Sequence, residues 1–173
     1  MSSTGGRDNP GPAVAGPRVL VYGYGNPGRQ DDGAGVALVD ALEAWARGGD
    51  RPWLIFDRNY QLNVEDALEA SRHDVVVFVD AAADHDEPFR FRALQPAASV
   101  SFTTHAMRPE SVLGLCRDLY GARPVGRLLT IRGYSWESNQ AMTARALRNL
   151  EHARAWLQAL LESPARLLTA REP

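Results

Sequence analysis

One stretch constrains this chain more than any other: Val19-Leu20-Val21-Tyr22-Gly23-Tyr24-Gly25-Asn26-Pro27-Gly28-Arg29-Gln30-Asp31-Asp32-Gly33-Ala34-Gly35-Val36. A short apolar run of strand length and composition ends in Gly-x-Gly-Asn. The chain then crosses a tight loop and meets two adjacent carboxylates before a helical pattern begins. Gly23 and Gly25 allow a sharp turn at the strand's end. Asp31 or Asp32 stands where a helix N-cap belongs, and Gly33 and Gly35 permit close packing of the helix start. The expected product is a strand, a loop and a helix N-terminus with carboxylates on the rim. Gly-x-Gly after a first strand also fits a dinucleotide-binding enzyme, in which the helix N-terminus receives a pyrophosphate. Two acids at that point repel a phosphate, and Asn26-Pro27 interrupts the glycine fingerprint. One acid as a cap and the other as a solvated neighbour is the plainer reading, and it explains one acid better than two.

The remaining chain alternates strand and helix signals. Residues 1–17 are rich in Gly, Pro, Ser and Ala and are expected to form a flexible leader. Strands are expected at 18–24, 53–56, 75–80 and 128–133, with an alternating edge strand at 89–92. The unbroken run Val75-Val76-Val77-Phe78-Val79 suits a strand buried on both faces of a parallel sheet. A first helix is expected from Asp32 to Gly48, with Val36, Val39 and Leu42 inward. Asn63 reads as the cap of a short helix, with Asp66 at its third position. Pro109 opens a further helix, with Val112, Leu115, Cys116 and Leu119 inward, ended by Gly121. A long amphipathic helix spans 142–161, with Leu147, Leu150, Leu157 and Leu161 at helical spacing. This order predicts one α/β domain at 18–165, a three-layer structure with a mostly parallel twisted sheet of about five strands and helices on both faces. Residues 166–173 are expected to form a C-terminal tail.

Composition narrows the function classes. The chain has 173 residues and a net charge of −2, with no basic block, which argues against nucleic acid as a partner. A single cysteine excludes an intrachain disulfide and fits a reducing cytoplasm. No apolar run approaches the ~18 residues that span a bilayer, and no signal-peptide layout is present. A cytoplasmic monomer is expected.

Open α/β sheets place their sites outside the carboxyl ends of the strands, where the strand order reverses. If that order begins two-one-three, Asp31 and Asp32 lie beside Asp80, and His105 arrives from the loop before the helix at Pro109. Two carboxylates and an imidazole suit a borderline divalent cation with coordination positions left open. Competing roles are a turn cap for Asp80 and a loop or capping role for His105. His73 and His85 read as solvated loop residues, and His152 sits among charges in mid-helix. Cys116 reads as a small core residue. No Gly-x-Ser-x-Gly, Cys-x-x-Cys or His-Glu-x-x-His supports serine, cysteine or zinc-helix chemistry.

Four blocks in order resemble the hydrogenase maturation proteases, which process the large subunit of nickel-iron hydrogenases. They are Gly23 to Gly35, Phe78-Val79-Asp80-Ala81, Thr104-His105-Ala106-Met107-Arg108-Pro109-Glu110 with the following Leu119-Tyr120-Gly121, and Ile131-Arg132-Gly133-Tyr134-Ser135-Trp136-Glu137. The resemblance implies an endopeptidase that removes a C-terminal extension from the large-subunit precursor after nickel insertion. It implies nickel carried by the precursor, no resident organic cofactor, and metal contacts from Asp32, Asp80 and His105. Asp31 is then the candidate for orienting the attacking water or acting as base, with a helix cap as its competing role. Three features depart from the family pattern, one of them the loop Asn26-Pro27-Gly28-Arg29-Gln30, more polar than the apolar version common in relatives. Asp32 stands where Glu is commoner, one methylene shorter, which demands a shift of roughly 1–1.5 Å in metal or loop. Asp57-Arg58-Asn59-Tyr60-Gln61-Leu62-Asn63 replaces a glycine-rich Asp-Gly-Gly-Thr stretch. A precursor-binding protein that does not cut, and less readily a nucleotide-binding α/β enzyme, are the alternatives.

Overall fold

The computed structural model describes residues 16–98 and 107–170. Five strands, β1 (Val19–Tyr24), β2 (Leu54–Asn59), β3 (Val75–Ala82), β4 (Phe89–Leu94) and β5 (Val125–Arg132), form one sheet in the order β2-β1-β3-β5-β4. β1, β2, β3 and β5 run parallel, and β4 pairs antiparallel with β5 at the edge. The helices are α1 (Ala34–Ala46), the single-turn α2 (Asp66–Ala70), α3 (Pro109–Tyr120) and α4 (Ala144–Leu161). The α/β architecture and the two-one-three start of the strand order are as expected.

Period-two alternation divides the core between the two faces. Val75, Val77 and Val79 join Val19, Val21, Leu129 and Ile131 under α1 and α4. Val76 and Phe78 join Leu20, Tyr22 and Leu128 under α2 and α3, with Val112, Leu113 and Cys116. Pro109 occupies the first turn of α3, and Gly121 ends it at φ +63°.

Several local expectations are corrected. The first helix does not begin on an aspartate cap. A 3-10 turn, Gln30–Gly33, carries both acids, and α1 starts after Gly33 with no side-chain cap. Val36 is only half-buried, and Leu38 takes its place beside Val39 and Leu42. Leu119 and Leu147 are exposed, because the buried stripe of each helix is narrower than its run of leucines. Asn63 does not cap α2. Glu65 stands at the N-cap, and the Asn63 N–H instead donates to the Asp66 carboxylate at 2.6 Å. His73 and His85 are buried rather than solvated. The expected tail also begins inside the fold, since Leu167 is buried in the core. Residues 1–15 of the expected leader lie outside the described residues.

Candidate active site

The site grows from the crossover between β1 and α1. Gly25 has φ +131°, and a Cβ there would come within 2.1 Å of the Asp32 carbonyl oxygen. A Cβ on Gly35 would come within 2.4 Å of the Val79 carbonyl oxygen. Glycine at both positions therefore lets the turn carrying the acids press against the ends of β1 and β3. The two adjacent acids then diverge. Asp31 is fully buried, and its carboxylate accepts hydrogen bonds from Tyr134 N–H (2.7 Å), Ser135 N–H (3.2 Å), Thr143 N–H (2.7 Å) and the Thr143 hydroxyl (2.8 Å). With both oxygens so engaged, it anchors the segment between β5 and α4. The structure thus corrects the helix-cap expectation for Asp31.

Asp32 is part-exposed at the rim. One oxygen accepts from Asn26 N–H at 3.0 Å, and the other receives no hydrogen bond from the described residues. Asn26 is itself held in a turn, its side-chain oxygen accepting from Gly28 N–H at 2.8 Å.

Asp80 lies at the carboxyl end of β3, near enough to Asp32 to feel its charge. It accepts from Ala81 N–H at 2.8 Å and from the Tyr24 phenol. Burial pushes its pKa up to about 6, the negative charge of Asp32 adds to the rise, and the two donors oppose it. Tyr24, desolvated and facing Asp80, has its pKa raised and remains a donor. Two neighbouring carboxylates, one of them poorly solvated, form a site that gains from a cation. Among the described residues no cluster of three His, Cys, Asp or Glu side chains surrounds such an ion. The third expected ligand, His105, lies outside the described residues.

The strand registers extend the site sideways. Asp80 pairs with Thr130 of β5, and Thr130 pairs with Arg90 of β4. Tyr24, Asp80, Thr130 and Arg90 therefore stand in one row on the α3 face of the sheet. They line a cleft of about 530 Å³, with His85, Arg92, Met107, Arg108 and Glu110 among its walls. Arg92 pairs with Glu110 at 3.1 Å and Arg90 with Glu87 at 2.9 Å. Reading of the sequence alone misses Tyr24, Thr130 and the two arginines. The signals that reveal them are the alternation Phe89-Arg90-Phe91-Arg92 and the register that sets Thr130 opposite Asp80.

The fold defines a class: a three-layer α/β domain with an antiparallel edge strand and carboxylates gathered where the strand order reverses. Within that class, the chain is similar to solved structures of hydrogenase maturation endopeptidases. It aligns with the NiFe hydrogenase maturation protease HycI from Thermococcus kodakarensis with a TM-score of 0.68 and 19% identity, over 86% of this chain and 96% of that one. The hydrogenase maturating endopeptidase HybD from Escherichia coli gives 0.64 and 22% identity, over 84% and 93%. The hydrogenase 2 maturation peptidase from a Thaumarchaeota archaeon gives 0.61 and 20%, over 84% and 98%. No protein-family profile matches the sequence, and no curated protein does so. At these identities the likeness establishes a shared fold.

Proposed function

We propose that the protein is an endopeptidase that removes the C-terminal extension of a nickel-iron hydrogenase large-subunit precursor once nickel is in place. The observation that carries this reading is the pair Asp32 and Asp80 at the ends of β1 and β3, in a fold shared with maturation endopeptidases. Asp32, Asp80 and His105 grip the nickel borne by the precursor and hold the scissile peptide beside it. The gripped ion then polarises the scissile carbonyl or lowers the pKa of a bound water. Metal dependence in this reading belongs to the substrate, and the protein needs no resident organic cofactor. A dinucleotide has no comparable support, because the turn that would receive its pyrophosphate carries Asp31 and Asp32.

The test is mass spectrometry of a purified precursor incubated with the protein, with and without nickel. Loss of a C-terminal peptide from the nickel-loaded form alone is expected. Alanine at Asp32, Asp80 or His105 should abolish that loss while the fold persists; normal processing by all three variants would sink the assignment. A tight complex without any change of mass favours the non-cutting binder.

A further inference from the structure

His85 and Thr130 form a pair that the metal-gripping set does not use. The His85 side chain is 1% exposed. Its Nδ1 lies 2.9 Å from the backbone carbonyl oxygen of Glu87 and 3.8 Å from the Glu87 carboxylate, and its Nε2 lies 3.1 Å from the Thr130 hydroxyl. A carbonyl oxygen only accepts, so Nδ1 carries the proton and, in the neutral ring, Nε2 is left as acceptor. The Thr130 hydroxyl must then donate inward to Nε2. Its proton is committed to the protein interior, and its lone pairs remain for the cleft. Thr130 is part-exposed, stands opposite Asp80 in the register, and no other described residue makes a side-chain hydrogen bond to its hydroxyl. Asp80, Asp84 and Glu110 are the charged acceptors that line the same cleft, whereas this hydroxyl is neutral and fixed in direction.

We propose that Thr130, oriented by His85, accepts a hydrogen bond from a main-chain N–H of the precursor's C-terminal segment and so sets that segment's register beside Asp80. This inference rests on the reading that the cleft receives the precursor tail. A fixed neutral acceptor suits a peptide N–H, because it holds the backbone whatever the side chains are and adds no further charge beside the two carboxylates. His85 is a positioning residue in this arrangement and acts only through Thr130.

Two measurements test it. Long-range proton–nitrogen NMR of the His85 ring in the precursor-free protein should show the Nδ1–H tautomer, with the Nε2 resonance displaced in Thr130→Val. An Nε2–H tautomer overturns the proposal. In processing assays Thr130→Val should raise KM about five- to tenfold with kcat nearly unchanged, the loss of one neutral hydrogen bond. Thr130→Ser should restore the wild-type KM. His85→Ala should raise KM similarly, and adding it to Thr130→Val should raise KM no further, with melting curves confirming that each variant folds. A Thr130→Val protein with wild-type KM overturns this inference and leaves the endopeptidase reading standing. If the wild type binds the precursor without cutting it, the endopeptidase reading fails, and the same variants are judged on precursor Kd. A wild type that neither cuts nor binds overturns both.

Discussion

Asp80 shows how a carboxylate buried at a cleft trades against stability. In the folded chain its pKa is about 6, against 3.8 for an ordinary aspartate, chiefly because burial disfavours the charged form. Below about pH 4 both folded and unfolded chains hold the proton, and the site costs nothing. Between about pH 4 and 6 the unfolded chain releases its proton while the folded chain keeps it, so stability falls as pH rises. Above pH 6 the whole cost is present, on the order of 2–3 kcal/mol for a shift of this size. Asp80→Asn removes the charge but keeps an oxygen able to accept from Ala81 N–H or the Tyr24 phenol. It should therefore stabilise the protein by about 2 kcal/mol at pH 8 and by little at pH 4, measured by urea unfolding at both values. An equal effect at the two pH values would show that the buried charge is not the cause. The same ionisation predicts that processing by the wild type falls away on the acid side of pH 6, since a protonated carboxyl is a poor metal ligand.

At the scale of elements, the 3-10 turn and the segment between β5 and α4 depend on one another through Asp31. Three backbone N–H groups and the Thr143 hydroxyl converge on that carboxylate, and Thr143 in turn caps α4 by accepting from Ala146 N–H at 3.2 Å. Asp31→Asn turns one acceptor oxygen into a donor facing other donors, and should cost about 2–4 kcal/mol of stability by urea unfolding. Asp32→Asn, one residue along and part-exposed, should cost under about 1 kcal/mol while abolishing processing. Equal stability losses in the two variants would contradict the division of labour between the acids. This division is also where sequence reading reaches its limit. The strands, the order of elements and the placing of Asp32 and Asp80 at neighbouring strand ends follow from local apolar runs, punctuating glycines and the rule for α/β crevices. The fate of Asp31 does not, because its four donors lie more than a hundred positions away and carry no local pattern. His85 reads as solvated because Asp84, Asp86 and Glu87 surround it in sequence. It is buried because the turn between β3 and β4 folds it onto Thr130. The outward-facing Leu119 and Leu147 fail for a related reason: helical spacing gives the phase of a stripe but not its width.

At the scale of the whole molecule, the short turn Pro164–Leu168 closes the face of the sheet opposite the cleft. β5 runs between β3 and β4, so Arg127, paired in register with Val77 and Ala93, lies mid-sheet under α4. Its guanidinium is buried and donates to the backbone carbonyls of Leu167 at 2.9 Å and Leu168 at 2.8 Å. Desolvation lowers its pKa, and among the described residues carbonyl dipoles rather than a carboxylate compensate the buried charge. Leu167 is itself fully buried in the α1–α4 core. Deleting residues 164–173 therefore removes about 1.5–3 kcal/mol of apolar burial and leaves a buried cation without its acceptors. The truncated chain should lose about 3–5 kcal/mol in urea unfolding. Arg127→Met in the truncated chain should recover part of that loss, because the stranded charge is gone while its aliphatic volume is kept. In the full-length chain the same substitution should recover nothing, since there the carbonyls are in place. A truncation that Arg127→Met fails to improve would show that the turn contributes through Leu167 alone. The cleft lies on the other face, so the truncated Arg127→Met protein, at a temperature where it remains folded, should process precursor at the full-length rate.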